Sequence, residues 1–234
     1  AQPHDTSRFC HGCGSPLTES STHGEYKQVT VLFADVVHSM DIASALGAER
    51  LREIMADVAN RCAAVVQRYG GTVDKFTGDG FMAVFGAPVA LEDHAIRACL
   101  AALGVQQEAK RLAVEVRERD GVDLQMRVGL NSGQVMSGNV GSEKRLAYTA
   151  IGDTTNTAAR LEGMTKGTDF MLFMAESTKE ALSAEPADIA FVGEYEIRGR
   201  VERLAIWSVE GSRKEKDEGD SFASVAQTET LADK

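Results

Sequence analysis

The order in which apolar periodicity changes between Lys27 and Glu210 is what most limits the fold of this chain. Val29-Thr30-Val31-Leu32-Phe33-Ala34-Asp35 is a short β-branched run ending in an acid, which predicts a buried strand. From Ala43 to Tyr69 the residues Leu46, Leu51, Ile54, Val58, Val65 and Val66 recur at helical spacing until Gly70-Gly71 stops the run. Thr72 to Phe76 and Phe81 to Phe85 flank Thr77-Gly78-Asp79-Gly80, a pattern that predicts a β-hairpin with an acid at its turn. Pro88 breaks the chain before a second long helix, expected from Glu92 to Arg117 and ended near Gly121. Leu124 to Leu130 and Gln134 to Asn139 predict another strand pair. Asp153 is placed to cap a helix running to Met164, and strands are expected near Asp169 to Met174, Ile189 to Ile197 and Leu204 to Val209.

Strand, helix, strand, hairpin, strand, helix, strand is the β-α-β-β-α-β order of the ferredoxin-like unit. The expected class is therefore α+β, with extra C-terminal strands, a short helix, and both long helices on one face of a mainly antiparallel sheet. Three zones follow: residues 1–25, polar and carrying Cys10-His11-Gly12-Cys13; a folded domain over 26–210; and a mixed-charge tail over 211–234, too poor in apolar residues to fold. A 43% apolar fraction in 234 residues is enough for a sizeable core. The formal net charge of −10 argues against general nucleic-acid binding, which relies on neutralising phosphates. No run approaches the roughly 20 apolar residues of a membrane span, and no signal peptide is evident, so a cytoplasmic protein without direct membrane insertion is expected. Ala1 at the start is what an excised or processed piece of a longer protein would show.

Two aspartates carry the chemistry. Asp35 ends the first strand, and Val36-Val37-His38-Ser39 after it can open a helix. Asp79 sits in the hairpin turn that this topology places beside that strand end. Two converging carboxylates near a helix start form a site for one or two hard divalent cations with substrate phosphate oxygens. Taken singly, Asp35 caps a helix and Asp79 makes a turn; taken together, they favour metal.

Val31-Leu32-Phe33-Ala34-Asp35-Val36-Val37-His38-Ser39 and Lys75-Phe76-Thr77-Gly78-Asp79-Gly80 resemble the class III nucleotidyl cyclases. So do Met126-Arg127-Val128-Gly129-Leu130-Asn131-Ser132-Gly133 and Gly152-Asp153-Thr154-Thr155-Asn156-Thr157-Ala158-Ala159-Arg160-Leu161-Glu162. The resemblance covers about Lys27 to Val209. It implies the nucleotide cyclase fold and the conversion of a nucleoside triphosphate to a 3′,5′-cyclic nucleotide and pyrophosphate. It places two Mg²⁺ or Mn²⁺ ions on Asp35 and Asp79. A pair supporting the transition state falls on Asn156 and Arg160, four apart and so on one helix face. A phosphate-binding cation falls on Arg198, where the family often has Lys, with Arg200 a looser neighbour. Base choice falls on Lys75, which suits adenine N1, and on Thr149, whose hydroxyl accepts from the adenine amino group where many relatives carry Asp. That pair is similar to the bicarbonate-responsive subgroup and implies ATP as substrate. The family shares each site between chains, which implies a homodimer. A guanylate cyclase and a catalytically silent dimerisation or sensor module are the competing readings; Lys75 argues against the first, and retention of Asp35, Asp79, Asn156 and Arg160 against the second.

The remaining chemistry-bearing residues have plainer readings. Cys10 and Cys13 resemble one knuckle of a zinc ribbon without its second pair, which predicts no stable metal. Cys62 and Cys99 are expected in the core of a protein in a reducing compartment, His38 at a helix start, and His94 on the surface at another.

Overall fold

The computed structural model describes residues 25–142, 145–184, 188–197 and 202–213. In chain order the elements are β1 (Glu25–Val36), α1 (Ser39–Leu46), α2 (Ala48–Arg68), β2 (Thr72–Phe76), β3 (Gly80–Phe85), α3 (His94–Asp120) and β4 (Met126–Ser142). There follow β5 (Arg145–Ile151), α4 (Asp153–Met164), β6 (Leu172–Ala175), α5 (Glu176–Glu180), β7 (Ile189–Tyr195) and β8 (Leu204–Val209). The sheet runs β2-β3-β1-β4-β6-β8-β7, with β5 paired to β4 off this path. Only the β4–β6 pairing among these is parallel. This is the expected α+β arrangement.

Alternation along β1 divides the core. Leu32, Ala34 and Val36 face a cluster with Ile54, Val58 and Cys62 of α2 and Ala98, Cys99 and Ala102 of α3. Val29 and Val31 point the other way, against Met82, Val84 and Ala158 of α4. The two long helices thus share one face, and α4 covers the opposite one. Burial pushes the Cys62 and Cys99 thiols up to about 12, as suits inert core residues. Among the described residues no helix is long and apolar enough to cross a membrane.

Several elements differ from expectation. The first helical stretch starts earlier and is two helices, because Gly47 adopts φ +85, which L side chains rarely accept. The second long helix continues to Asp120, three residues past the expected end. Asp153 is the first residue of α4 rather than its cap; Gly152 holds that position. The strand pair expected around Asn131-Ser132-Gly133 is one continuous strand, β4, and its outer half pairs with β5, an element the sequence did not suggest. Those polar residues do not end the strand because their needs are met sideways. Asn131 Nδ2 donates to Thr154 O at 2.9 Å, and Ser132 Oγ lies 2.7 Å from Thr30 Oγ1. Order also continues past Glu210: Glu210–Ser212 form a 3₁₀ turn and Arg213 pairs with Phe170. The Cys10–Cys13 segment and residues 214–234 lie outside the described residues.

His94 is not a surface residue but is 7% exposed, its Nδ1 2.7 Å from Thr30 Oγ1. Burial lowers its pKa, against the upward pull of Asp93. Above about pH 6.5 the ring is neutral in both folded and unfolded chains. Below that, the unfolded chain binds the proton more readily, so stability falls as pH drops. Burial raises Asp35 and Glu162, which therefore act with the opposite sign over an overlapping window. The His94 contribution is therefore a difference. Urea midpoints of wild type and His94→Gln between pH 5 and 8 should converge as pH falls, and parallel curves would refute it.

Candidate active site

The end of β1 and the β2–β3 turn meet through a close backbone approach. Asp35 and Gly80 are register partners, and Val36 N donates to Asp79 O at 2.9 Å. A Cβ at Gly80 would stand 2.3 Å from Ala34 O and 2.8 Å from Asp35 Oδ1, so only glycine lets the hairpin lie this close. The carboxyls of Asp35 and Asp79 thereby face one cleft, lined also by Val36–Asp41 at the start of α1, by Arg127, and by Thr165, Lys166, Gly167 and Met171. His38 precedes α1 with φ 56, and its Nδ1 lies 3.1 Å from Asp41 Oδ2.

Burial raises Asp35 to about 6, and Asp79, as hydrogen-bond partner and like charge, adds to the rise; Arg127 opposes it. For Asp79 burial also acts upward, but the Ser39 hydroxyl, which donates to Oδ2 at 2.8 Å, and the hydrogen bond with Asp35 outweigh it and hold Asp79 low. Two carboxyls crowded so that one is pushed up and the other held down are short of positive charge. Arg127, directly opposite Asp35 on β4, donates from Nη2 to Asp35 Oδ2 at 3.0 Å. Its Nε stands 2.9 Å from Glu162 Oε1 on α4. Burial lifts Glu162 to about 7 despite the downward pull of Arg127.

The helix that carries Glu162 is pressed onto β4. A Cβ at Gly129 would lie 2.2 Å from Ala158 O and 2.4 Å from Glu162 N. Thr154, Thr155, Thr157, Ala158 and Leu161 form the buried side of α4. Asn156 is exposed and Arg160 half-buried, one turn apart, and neither lines the Asp35–Asp79 cleft. Lys75 lies on β2 at the sheet edge, half exposed, its Nζ 4.0 Å from Asp74 Oδ2, also outside that cleft. Thr149 lies on β5 opposite Gly138. Arg198 and Arg200 fall outside the described residues. The fold thus brings Asp35 and Asp79 together in one cleft, and Lys75, Asn156 and Arg160 are not among the residues that line it.

The donor set suits a hard cation. No group of three or more His, Cys, Asp and Glu is placed to hold a metal among the described residues. Two carboxylates open to a cleft match an ion such as Mg²⁺, which keeps positions for water and phosphate. Arg127 and Glu162 lie within the cyclase-like motifs, but no local pattern gives either a role. The available signal was a charged residue inside the otherwise apolar Met126-Arg127-Val128, on the same alternation as Gly129.

Residues 21–211 match the family model described as the adenylate and guanylate cyclase catalytic domain. Adenylate cyclase 1 of Rhizobium meliloti (strain 1021) is 32% identical over 187 residues, 79% of this chain. Guanylate cyclase soluble subunit beta-2 of Rattus norvegicus is 29% identical over 195 residues, 83% of this chain. The chain spans 28% of the length of each. Among solved structures, the adenylyl cyclase CyaB from P. aeruginosa superposes with a TM-score of 0.74 at 27% identity, covering 82% of this chain and 97% of that one. The guanylyl cyclase Cya2 gives 0.73 at 28% identity, covering 83% and 98%. With a family match that takes in β1, the β2–β3 turn and α4 in one span, this chain belongs to the adenylate and guanylate cyclase catalytic domain family.

Proposed function

We propose that the protein is an adenylate cyclase, converting ATP to 3′,5′-cyclic AMP and pyrophosphate at sites shared across a homodimer. The observation that carries this is the meeting of Asp35 and Asp79 in one cleft with Arg127 and the start of α1. In the reaction the ribose 3′-oxygen loses its proton and bonds to the α-phosphorus, while the bond from that phosphorus to the bridging oxygen breaks and pyrophosphate leaves. The nucleophile is already on the substrate, so the protein's task is to position and to neutralise charge. Two Mg²⁺ or Mn²⁺ ions on Asp35 and Asp79 would supply activation of the 3′-hydroxyl and a grip on the triphosphate.

The chain's own groups do the rest. Backbone N–H groups at the start of α1 and the Arg127 guanidinium receive phosphate oxygens. Asn156 orients the ribose, and Arg160 meets the charge growing on the α-phosphate. Lys75 donates to adenine N1, Thr149 accepts from the amino group, and Arg198 adds a phosphate contact. Lys75, Asn156 and Arg160 do not line the cleft of their own chain, which supports their serving a partner's Asp35 and Asp79. An arrangement of this kind closes with two-fold symmetry.

Mass spectrometry of products from ATP and GTP, each with Mg²⁺ or Mn²⁺, tests the reaction. Cyclic AMP with equimolar pyrophosphate is expected, and a preference for GTP would establish a guanylate cyclase instead. Guanylyl cyclases stand among the relatives, so base choice rests on Lys75. Lys75→Glu puts an acceptor where adenine N1 needs a donor and should depress ATP turnover sharply; unchanged turnover would remove that role.

Mixing two inactive variants tests the sharing. Asp35→Ala damages one half of every site it enters and Arg160→Ala the other. A heterodimer then holds one intact site and one doubly damaged. Random exchange gives about half heterodimers, so activity should recover to roughly a quarter of wild type. Heterodimers that form without recovery would place the whole site within one chain.

A further inference from the structure

Arg127 stands between two carboxylates on different elements. Its Nη2 donates to Asp35 Oδ2 at 3.0 Å, while its Nε faces Glu162 Oε1 at 2.9 Å without the geometry of a hydrogen bond. Both of those facing atoms are buried and have no hydrogen-bond partner. The guanidinium is thus drawn toward Glu162 as well as Asp35 and grips Asp35 through one nitrogen only. Released from α4, it is free to turn and take both oxygens of Asp35 in the paired arrangement that arginine and carboxylate favour. Those are the oxygens a divalent cation needs. The spacing that prevents this is set by backbone, because α4 rests on β4 at Gly129, two residues from Arg127 and against the Glu162 amide.

We propose that Glu162 is a positioning residue: it holds Arg127 from the α4 side and so keeps Asp35 open to a divalent cation. This rests on the reading of Asp35 and Asp79 as metal ligands. Partners that orient a ligand from behind commonly change metal affinity by about 10–100-fold when replaced.

The test uses the full chain with Mn²⁺ alone, so that no phosphate engages Arg127, and reads free Mn²⁺ by electron paramagnetic resonance. Glu162→Gln should raise the Mn²⁺ half-saturation concentration about tenfold. In an Arg127→Gln background the same change should move it less than about twofold, since there is no guanidinium to hold. Glu162→Asp, with the charge kept on a shorter arm, should fall between, and it carries the comparison if Glu162→Gln melts below the assay temperature. An equal loss in both backgrounds overturns the inference, because Glu162 would then act through its own charge or packing. No loss in either background also overturns it. If wild type and Asp35→Ala bind Mn²⁺ alike, the metal reading itself falls, a result distinct from the other two.

Discussion

Asp35→Ala and Asp79→Ala should each cut cyclic nucleotide formation about a thousandfold or more while leaving the fold in place. The charge stabilisation lost is worth several kcal/mol, and each 1.36 kcal/mol is about a factor of ten in rate. The fold should survive because both groups line the open cleft and neither belongs to the apolar core. Asp35 is held up at about 6 by burial and by Asp79, so the pair is crowded at neutral pH. Removing Asp79 relieves that crowding but also takes away the acceptor of the Ser39 hydroxyl, so the thermal midpoint of Asp79→Ala should move little. A change that moves turnover far more than the melting curve separates the two readouts cleanly. Near-normal turnover in either variant, measured beside an unchanged melting curve, would end the assignment of these aspartates.

Gly129→Ala should do the opposite, damaging the fold and the site together. Its new Cβ would meet Ala158 O at 2.2 Å and Glu162 N at 2.4 Å, both backbone atoms that no rotamer change can move. Overpacking a core commonly costs about 1–3 kcal/mol, and here the whole of α4 must shift, so a loss of about 3 kcal/mol is expected. The same shift carries Asn156, Arg160 and Glu162 with it, so turnover should fall even at temperatures where the variant stays folded. A urea midpoint close to wild type would show that α4 yields more easily than its contact with β4 implies.

What could be read from sequence and what could not divides along sequence distance. β1, the hairpin and the two long helices follow from local periodicity, and Asp35 and Asp79 from their positions at element ends. Apolar spacing runs through Gly47 and hides the break there, which backbone conformation imposes. The continuity of β4 was hidden because Asn131 and Ser132 look like a turn until Thr154 and Thr30 are seen to satisfy them. His94 looked like a surface residue because Thr30, its partner, is 64 positions away. Arg127 and Glu162 gain a role only when α4 lands on Gly129, a contact that no local pattern announces.

The length of β4 has a consequence for behaviour on dilution. Arg127, opposite Asp35, and Gly138, opposite Thr149, are eleven residues apart on this one strand. At about 3.3 Å per residue that is roughly 36 Å, comparable to the width of a small domain. If Asp35 and Thr149 serve one nucleotide, they must come from different copies of the chain. Well below the dissociation constant of the pair, the rate should then fall with the square of protein concentration. A site contained in one chain would instead keep its specific activity constant down to the limit of detection.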